Sequence, residues 1–262
     1  MIKFPKKISD KKIKEFFKNN GFDFFIKESK QKDIKINQMK SKTIYKPELN
    51  DLYRIYQFIV LNKRTTILEF GCGWSTIIIS KALNFLKKKY LKDVKKLRRN
   101  NPFELFVIDN EQKYLIITKK NLNRYIKPNY IKIHYHFSHA YMTLYNGRIS
   151  TEFKTLPNCN PDFIYLDGPD QFNIKGKING LNLGNMDFMP MTCDILKFEN
   201  FLQPGTIIIS DGRKANTRFL KSNFRRKWFY QEDAESDQVI FYLDEKPLGH
   251  VNKKTLDFYK KK

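Results

Sequence analysis

The sequence predicts an α/β fold in which a doubly wound, mostly parallel sheet is covered by helices on both faces. Short β-rich runs alternate with helical patterns along most of the chain, which is typical of parallel strands joined by crossover helices. Two final β-rich runs have only a short turn between them, so they must pair antiparallel to each other. In chain order, the predicted strands are TTILEF, ELFVID, IKIHYHF, DFIYLD, TIIISD, KWFYQE and QVIFYLDE.

The helical segments between these strands follow from apolar residues at helical spacing. The first begins near Pro47, a residue suited to the first turn of a helix. A second follows the first strand and has a strongly basic end, and a third follows Asp109. We interpret DFMPMTCDILKFENFL as an interrupted helix with Pro190 near its start, and we predict a last helix from about Asn216.

Composition sets limits on the partners and on the compartment. The chain has 262 residues, 41% of them hydrophobic, and a formal net charge of +23. This charge suits a polyanion partner, but Lys greatly outnumbers Arg, and an AT-rich genome produces that bias without any binding function. Nucleic-acid grooves usually favour Arg. We find no apolar run of about 18 residues, no signal peptide and three widely spaced cysteines, which together predict a cytoplasmic protein.

We divide the chain into three parts. Residues 1–45 form a basic N-terminal extension with a short helix whose Phe16 and Phe17 face inward, residues 46–245 form the main domain, and residues 246–262 form a basic C-terminal tail. The extension is expected to pack on the domain or to cover a substrate site, with a flexible basic arm as the alternative. Neither a repeat nor a low-complexity linker divides the sequence.

The turn after the first strand predicts a ligand site, because ligands of such sheets bind beyond the carboxyl ends of the strands. Gly71 permits a sharp turn, Gly73 lets a ligand approach the backbone, and Ser75 and Thr76 begin a helix with unpaired N–H groups. The Glu69 carboxylate would repel a pyrophosphate and attract an ammonium group. The sequence therefore favours a zwitterionic cofactor over a dinucleotide, with a tight structural turn as the alternative.

Two further strands end in acids. Asp109 follows the second strand, where a carboxylate can accept hydrogen bonds from both ribose hydroxyls, although a solvated strand-end Asp is equally compatible. Asp167 and Asp211 follow two strands that are neighbours in the usual strand order, so they could share a pocket. Two close carboxylates raise the pKa of one of them and make it a plausible base, or they could bind Mg²⁺ through oxygen.

The ordered set of motifs resembles the class I S-adenosylmethionine-dependent methyltransferases over residues 46–245. The motifs are Glu69-Phe70-Gly71-Cys72-Gly73, then Asp109, then DFIYLDGPD, then GTIIISDGR and the paired terminal strands. The resemblance implies a Rossmann-like sheet of seven strands whose last strand is antiparallel. It also implies S-adenosylmethionine as the cofactor.

Roles for individual residues follow from this resemblance. The turn from Glu69 to Thr76, including Cys72 and Ser75, would line the methionine part of the cofactor, and Asp109 would hold the ribose. Ser138 and His139 would border the adenine, where family members often have an acid. Asp167 would face the sulfonium and the acceptor. Some metal-dependent O-methyltransferases have an Asp after each of the two strands that end in Asp167 and Asp211, but follow the second with Asn, where this chain has Gly212.

Our leading hypothesis is O-methylation of a small molecule or a glycan, with Asp167, Asp211 and His139 as the catalytic candidates. The Gly- and Asn-rich segment 171–190, with Phe172, Phe188 and Met189, is predicted to be a lid or an acceptor-binding loop. One alternative is an RNA methyltransferase, but LDGPD replaces the (D/N)-P-P-(Y/F) motif of base amino methylation. The other is a cofactor-binding module without turnover.

Overall fold

The computed structural model describes residues 2–31, 44–185 and 187–261. The helices are α1 (Asp10–Asn19), α2 (Asp23–Glu28), α3 (Leu49–Leu61), α4 (Trp74–Val94), α5 (Gln112–Tyr125), α6 (Asp194–Phe198), α7 (Lys214–Asn223) and α8 (Gly249–Lys260). The strands are β1 (Thr66–Phe70), β2 (Glu104–Asp109), β3 (Lys132–Phe137), β4 (Ala140–Tyr145), β5 (Arg148–Phe153), β6 (Phe163–Leu166), β7 (Ile174–Lys175), β8 (Ile207–Asp211), β9 (Trp228–Asp233) and β10 (Gln238–Leu243).

The main sheet has seven strands in the order β3-β2-β1-β6-β8-β10-β9. Strands β3, β2, β1, β6 and β8 are parallel to one another, and β10 is antiparallel to both of its neighbours. This confirms the predicted doubly wound, Rossmann-like sheet with an antiparallel last strand. The strand order reverses between β1 and β6, and this reversal opens a crevice at the carboxyl ends of the strands.

Both faces of this sheet are buried, as the near-continuous apolar runs of its central strands require. One face, with Ile67 and Val107, packs against α3 and α4. The opposite face, with Leu68 and Ile164, packs against α6 and α7 and against part of the β4–β5 hairpin. The side chains alternate because successive residues of a strand point to opposite faces.

The described part of the N-terminal extension packs on the main domain. Phe17 and Phe25 are fully buried, and the Phe16 ring makes edge-to-face contacts with Tyr53 and Tyr56 of α3. The inward orientation predicted for Phe16 and Phe17 is therefore observed. Residues 32–43 of the extension lie outside the described residues.

The C-terminal segment also contributes to the core. Helix α8 buries Leu256, Phe258 and Tyr259 on the face of the sheet that α3 and α4 cover. The Tyr259 hydroxyl donates a hydrogen bond of 2.8 Å to Asp162, immediately before β6. The segment 246–262, which the sequence pattern presents as a basic tail, thus includes a helix that is anchored to the central strands.

A second sheet of three strands, in the order β5-β4-β7, was not foreseen. Strands β4 and β5 form a hairpin whose turn residues, Asn146 and Gly147, both have positive φ angles. An Asn-Gly pair between alternating runs is the usual signal for such a hairpin and is present in LYNGRI. Strand β7 belongs to the 171–190 segment, so pairing with β4 ties part of that segment to the hairpin.

The prediction of an interrupted helix that starts near Pro190 is wrong over its first part. Residues 187–193 are not helical, and α6 covers only Asp194–Phe198. Instead, Thr151 of β5 exchanges backbone hydrogen bonds with Met191 and Cys193. The Asp194 carboxylate also accepts a hydrogen bond of 3.0 Å from the Phe153 N–H. These bonds hold residues 191–193 against β5, and the helix begins only at Asp194. Among the described residues, no helix has the length and apolar character to cross a membrane.

Candidate active site

The turn after β1 crosses the turn after β6 at two glycines. Gly71 has φ 91°, and a Cβ there would lie 3.0 Å from the carbonyl carbon and oxygen of Asp167. A Cβ on Gly168 would lie 2.4 Å from the Gly71 nitrogen. Sequence reasoning identified Gly71 as a turn residue but missed its packing role, and it missed Gly168 as the matching partner. The DGP run after β6 was the available signal.

Gly73 lies where the turn enters α4, and its surroundings differ from those of Gly71. A Cβ built on Gly73 would meet no described atom within 4 Å, so the backbone borders open space. The Gly73 N–H donates to Thr76 Oγ1 at 3.1 Å, which makes Thr76 a helix-capping residue with no exposed surface. The turn therefore leaves Gly73 open to a ligand, while Thr76 supports it from beneath.

Glu69 is fully buried at the end of β1. Ser75 Oγ donates a hydrogen bond of 2.5 Å to Glu69 Oε1, whereas Oε2 has no hydrogen-bond partner among the described residues. Burial raises the pKa of Glu69 to about 8, the charges of Asp167 and Asp109 add to this rise, and the hydrogen bonds from Ser75 and Thr76 oppose it. A buried carboxyl oxygen without a donor is costly unless a ligand supplies one.

Asp109 ends β2, and only 3% of its surface is exposed. Its Oδ1 accepts a hydrogen bond of 2.8 Å from the Glu111 N–H, and the Cys72 thiol is within hydrogen-bonding reach of the carboxyl group. Burial raises the pKa of Asp109 to about 7. The structure thus brings Asp109 close to the glycine turn, where its carboxyl group is buried beside the Cys72 thiol.

Ser138 and His139 follow β3, as expected, but they have different surroundings. Ser138 is buried, its N–H donates to the Asp109 carbonyl at 3.1 Å, and its Oγ accepts from the Thr155 N–H at 3.0 Å. His139 is half-buried, and its Nε2 lies 3.3 Å from Lys175 Nζ on β7. His139 is therefore next to the second sheet.

A cavity of about 240 Å³ opens at the carboxyl ends of β1, β6 and β8. Its walls come from residues 44–48, from α3, from the turn 72–75 and from the side chains of Tyr114 and Tyr165. Asp167 and Asp211 both line it, as does Asp51 in the first turn of α3. Among the described residues that line this cavity, His139 is absent. The cavity is acidic, although the chain carries a net charge of +23.

Asp51 is an acid of this site that sequence reasoning missed. Its carboxyl group is hydrogen-bonded to that of Asp211. Burial raises the pKa of Asp51 to about 6. Burial, together with the nearby charge of Asp51, raises the pKa of Asp211 to about 8. Asp51 lies within an ordinary helical pattern 160 residues before Asp211, so only the folded chain shows the pair.

Asp167 has a different partner. Arg213 donates from Nη2 to the Asp167 carbonyl at 2.6 Å and to the Pro169 carbonyl at 3.1 Å, and its Nε lies 3.5 Å from Asp167 Oδ1. About half of the Asp167 side chain is exposed. The guanidinium therefore fastens the turn after β6 and leaves the Asp167 carboxylate facing the cavity.

The acids of this cavity do not fit Mg²⁺, which prefers near-octahedral oxygen ligands. Arg213 already supplies a positive charge at Asp167, and Asp211 is hydrogen-bonded to Asp51. Gly212 has no side-chain oxygen to add. Across the described residues, no three His, Cys, Asp or Glu side chains are grouped so that they could hold a metal ion. His134 and His136 are paired instead with Glu104 and Thr155.

Comparisons with known proteins add the following similarities. No protein-family model and no curated protein matches the chain. Among solved structures, an O-methyltransferase from Bacillus cereus in complex with SAH is 15% identical, with a TM-score of 0.39, over 91% of this chain and 92% of that chain. The O-methyltransferase TomG from Streptomyces achromogenes in complex with SAM is 10% identical, with a TM-score of 0.41, over 92% of each chain. Cofactor-bound Rv0187 from MTB is 10% identical, with a TM-score of 0.47, over 92% of this chain and 100% of that chain.

Proposed function

We propose that the protein is an S-adenosylmethionine-dependent methyltransferase that methylates an oxygen of a small molecule or a glycan. The observation that carries this proposal is the acidic cavity at the strand-order reversal, which Gly73 and Ser75 line, together with the buried Glu69 just before this turn, whose Oε2 has no donor among the described residues. A cation with N–H donors, held against a bare backbone, matches these features.

The residues of the turn fit the cofactor. Glu69 Oε2 would accept a hydrogen bond from its ammonium group, and the first N–H groups of α4 would face its carboxylate. Asp109, now buried beside the Cys72 thiol, would receive the ribose hydroxyls once its carboxyl group is exposed. Ser138 and His139 would border the adenine at the end of β3. When bound, the cofactor supplies a methyl carbon that its sulfonium has already activated.

The remaining residues would position the acceptor and accept its proton. A hydroxyl attacks poorly until its proton leaves, so it needs a base close to the methyl carbon. Asp211, on the cavity wall, is our principal candidate for that base, and Asp167 would orient the acceptor. His139 remains a candidate base that substitution would test, although it lies next to Lys175. Correct alignment of the reacting atoms can lower the barrier by about 7–11 kcal/mol.

The acceptor would enter between the cavity and the 171–190 segment. Phe188 and Met189, from that segment, are partly exposed beside the β4–β5 hairpin and offer apolar contact surface. Tyr45 and Tyr114, on the cavity wall, can pack against a ring or accept a hydrogen bond from a hydroxyl. We propose a small molecule or a saccharide because the cavity is enclosed on several sides.

The test begins with calorimetric titration of S-adenosylmethionine and S-adenosylhomocysteine into the wild-type protein. Transfer of a radiolabelled methyl group to pooled low-molecular-weight hydroxyl compounds is then measured for wild type and Asp167→Asn. We expect the variant to keep cofactor binding and lose transfer, because Arg213 holds the main chain of Asp167 more closely than its carboxylate. Absence of binding to wild type would refute the proposal. Binding without transfer to any acceptor class would favour a module without turnover.

Methylation of RNA is the second candidate, and the charge favours it. The chain carries a net charge of +23, and eight Lys or Arg residues lie between Lys87 and Arg99. Against it, Glu48, Asp51, Asp167 and Asp211 all line the cavity and would repel a phosphate backbone. Binding of a single-stranded RNA 20-mer, measured over a series of salt concentrations, decides the question. A steep fall of affinity with salt, together with methyl transfer to the RNA, would replace our first proposal.

A further inference from the structure

We propose that Asp51 and Asp211 act as one hydrogen-bonded carboxyl pair that accepts the proton of the acceptor hydroxyl, in the place where related chemistry could use a divalent cation. This inference rests on the proposed methyl transfer, and it adds Asp51 to the catalytic groups. It follows from the position of both carboxyl groups on the wall of the same cavity.

The hydrogen bond between the two side chains already requires a proton. An ionised carboxylate has only acceptors, so two carboxyl groups can bond to each other only if one of them is protonated. Asp51 comes from the first turn of α3 and Asp211 from the end of β8. Because each group lines the cavity, a bound hydroxyl can reach the pair from the side of the cofactor turn.

The helix that carries Asp51 is fastened to the strand next to Asp211. Arg54, one turn after Asp51, donates to Gln238 Oε1 at 2.8 Å and to Asp233 Oδ2 at 3.0 Å. Gln238 is in register with Asp211 in the antiparallel pairing of β10 with β8. These buried contacts fix the distance between the two carboxyl groups, so the pair is a built feature of the fold.

The surroundings of the pair are mainly negative. Glu48, at the N-cap of α3, and Arg54, within α3, face it from one side. Asp167 faces it from the turn after β6, and Asp237 faces it from the turn between β9 and β10. Lys214 Nζ lies 2.5 Å from Asp237 Oδ1 and partly neutralises that group. Burial and this excess of acids keep one proton on the pair near neutral pH, with pKa values of about 6 and about 8.

A proton shared by Asp51 and Asp211 excludes a metal ion bound to Asp211, and a bound metal ion excludes the shared proton. A divalent cation would need both Asp167 and Asp211 as ionised ligands, but Arg213 contacts the first and Asp51 the second. In the proposed step, the acceptor O–H bond breaks and its proton goes to the ionised carboxylate of the pair. The acceptor oxygen forms the bond to the methyl carbon, and the electron pair of the broken S–C bond stays on sulfur.

The first test is a carbon-13 NMR titration of protein labelled at the aspartate carboxyl carbons, with the two signals assigned from Asp51→Asn and Asp211→Asn. We expect two linked titration steps in the wild type. In Asp51→Asn, the midpoint of Asp211 should fall by at least about one pH unit, because its charged neighbour is gone. Asp10→Asn, in the exposed first turn of α1, is the matched control and should leave both steps unchanged. Independent titration of the two groups in the wild type would overturn the proposal.

The second test uses Mn²⁺ alone as the probe, followed by electron paramagnetic resonance. We expect no stoichiometric binding to the wild type, and binding that disappears in Asp211→Asn would overturn the proposal. Should Asp51→Asn fail to fold, Asp211→Ala supports the NMR test from the other side, through a rise in the midpoint of Asp51, because the hydrogen bond from Asp211 that lowers the pKa of Asp51 is gone. Neither test involves S-adenosylmethionine, so failure of the pair stays distinguishable from failure of the proposed function, which calorimetry measures.

Discussion

Gly71 and Gly168 lie back to back where the turns after β1 and β6 cross, and a Cβ on Gly168 would lie 2.4 Å from the Gly71 nitrogen. The atom that it would meet is backbone, so no side chain can move aside. This contact brings the turn after β1 and the turn that carries Asp167 to the same point of the sheet edge.

We predict that Gly168→Ala lowers the unfolding midpoint by about 2–12 °C, because overpacking at a backbone contact costs about 1–3 kcal/mol. Differential scanning fluorimetry measures the change. Gly73→Ala is the comparison without overpacking, since a methyl group there meets no described atom within 4 Å and its cost comes from the φ of 158°, which side chains rarely adopt. It should weaken the binding of S-adenosylmethionine by about tenfold or more, because the methyl group occupies ligand space. Equal stability of Gly168→Ala and wild type would contradict the packing role.

A proton should leave Glu69 when the cofactor binds. The pKa of Glu69 is raised to about 8 in the free protein, so the carboxyl group is largely protonated at neutral pH. A bound cation favours the charged form and lowers this pKa, which releases the proton. Calorimetry at neutral pH in two buffers of different ionisation enthalpy should therefore give different binding heats.

Glu69→Gln removes the titrating group and keeps its side-chain shape. The part of the buffer dependence that comes from Glu69 should disappear, and the affinity should fall because the ammonium group loses a charged partner. Unchanged buffer dependence in this variant would assign the released proton to another group.

The free protein should become less stable as the pH rises from about 5.5 to about 8. Folding raises the pKa of Glu69 to about 8, of Asp109 to about 7 and of Asp211 to about 8. The folded state therefore binds more protons than the unfolded state in this range, and its stability decreases with increasing pH. Above about pH 8 the sign is opposed, since burial lowers the pKa of Lys63 to about 8.

Unfolding midpoints at several pH values in one ionic strength check this prediction. Each kcal/mol lost corresponds to a fall of about 2–4 °C. A midpoint that rises steadily over the range would show that other groups dominate the pH dependence. Saturating S-adenosylmethionine should flatten the curve, because it stabilises the ionised acids.

Tyr259→Phe should lower the unfolding midpoint by about 2–6 °C, because a buried hydrogen bond contributes about 1–2 kcal/mol. The Tyr259 hydroxyl donates to Asp162, which also accepts from the Thr65 and Thr66 N–H groups. The Phe ring keeps the contact with the Arg64 guanidinium, 3.7 Å from the ring centre, so the variant isolates the hydroxyl.

Tyr130→Phe is the control, since nearly half of Tyr130 is exposed and its loss of a hydroxyl should change the midpoint by less than about 1 °C. If Tyr259→Phe behaved like this control, α8 would not be anchored through Asp162.

We also expect that a chain cut at residue 245 folds poorly, which would extend the main domain to include α8.

Most of the fold could be predicted from the periodicity of apolar residues. The seven strands of the main sheet and the antiparallel last strand were predictable, because buried strands need continuous apolar runs and helices need apolar residues at helical spacing. The β4–β5 hairpin was missed despite its Asn-Gly turn, and the helix expected near Pro190 fails there because β5 offers backbone hydrogen bonds to residues 191–193. Such competition between local propensity and tertiary pairing is not visible in a single segment.

The sequence by itself determined which segments form strands and which side chains follow each strand, because both depend on the pattern of apolar residues within short segments. Only the tertiary structure decided which of those groups meet. Asp51 pairs with Asp211, Arg213 holds Asp167, and the Cys72 thiol lies within hydrogen-bonding reach of Asp109. The physical reason is that burial and the distance between charges set the proton affinity of a carboxyl group, and both quantities arise only when distant segments pack together.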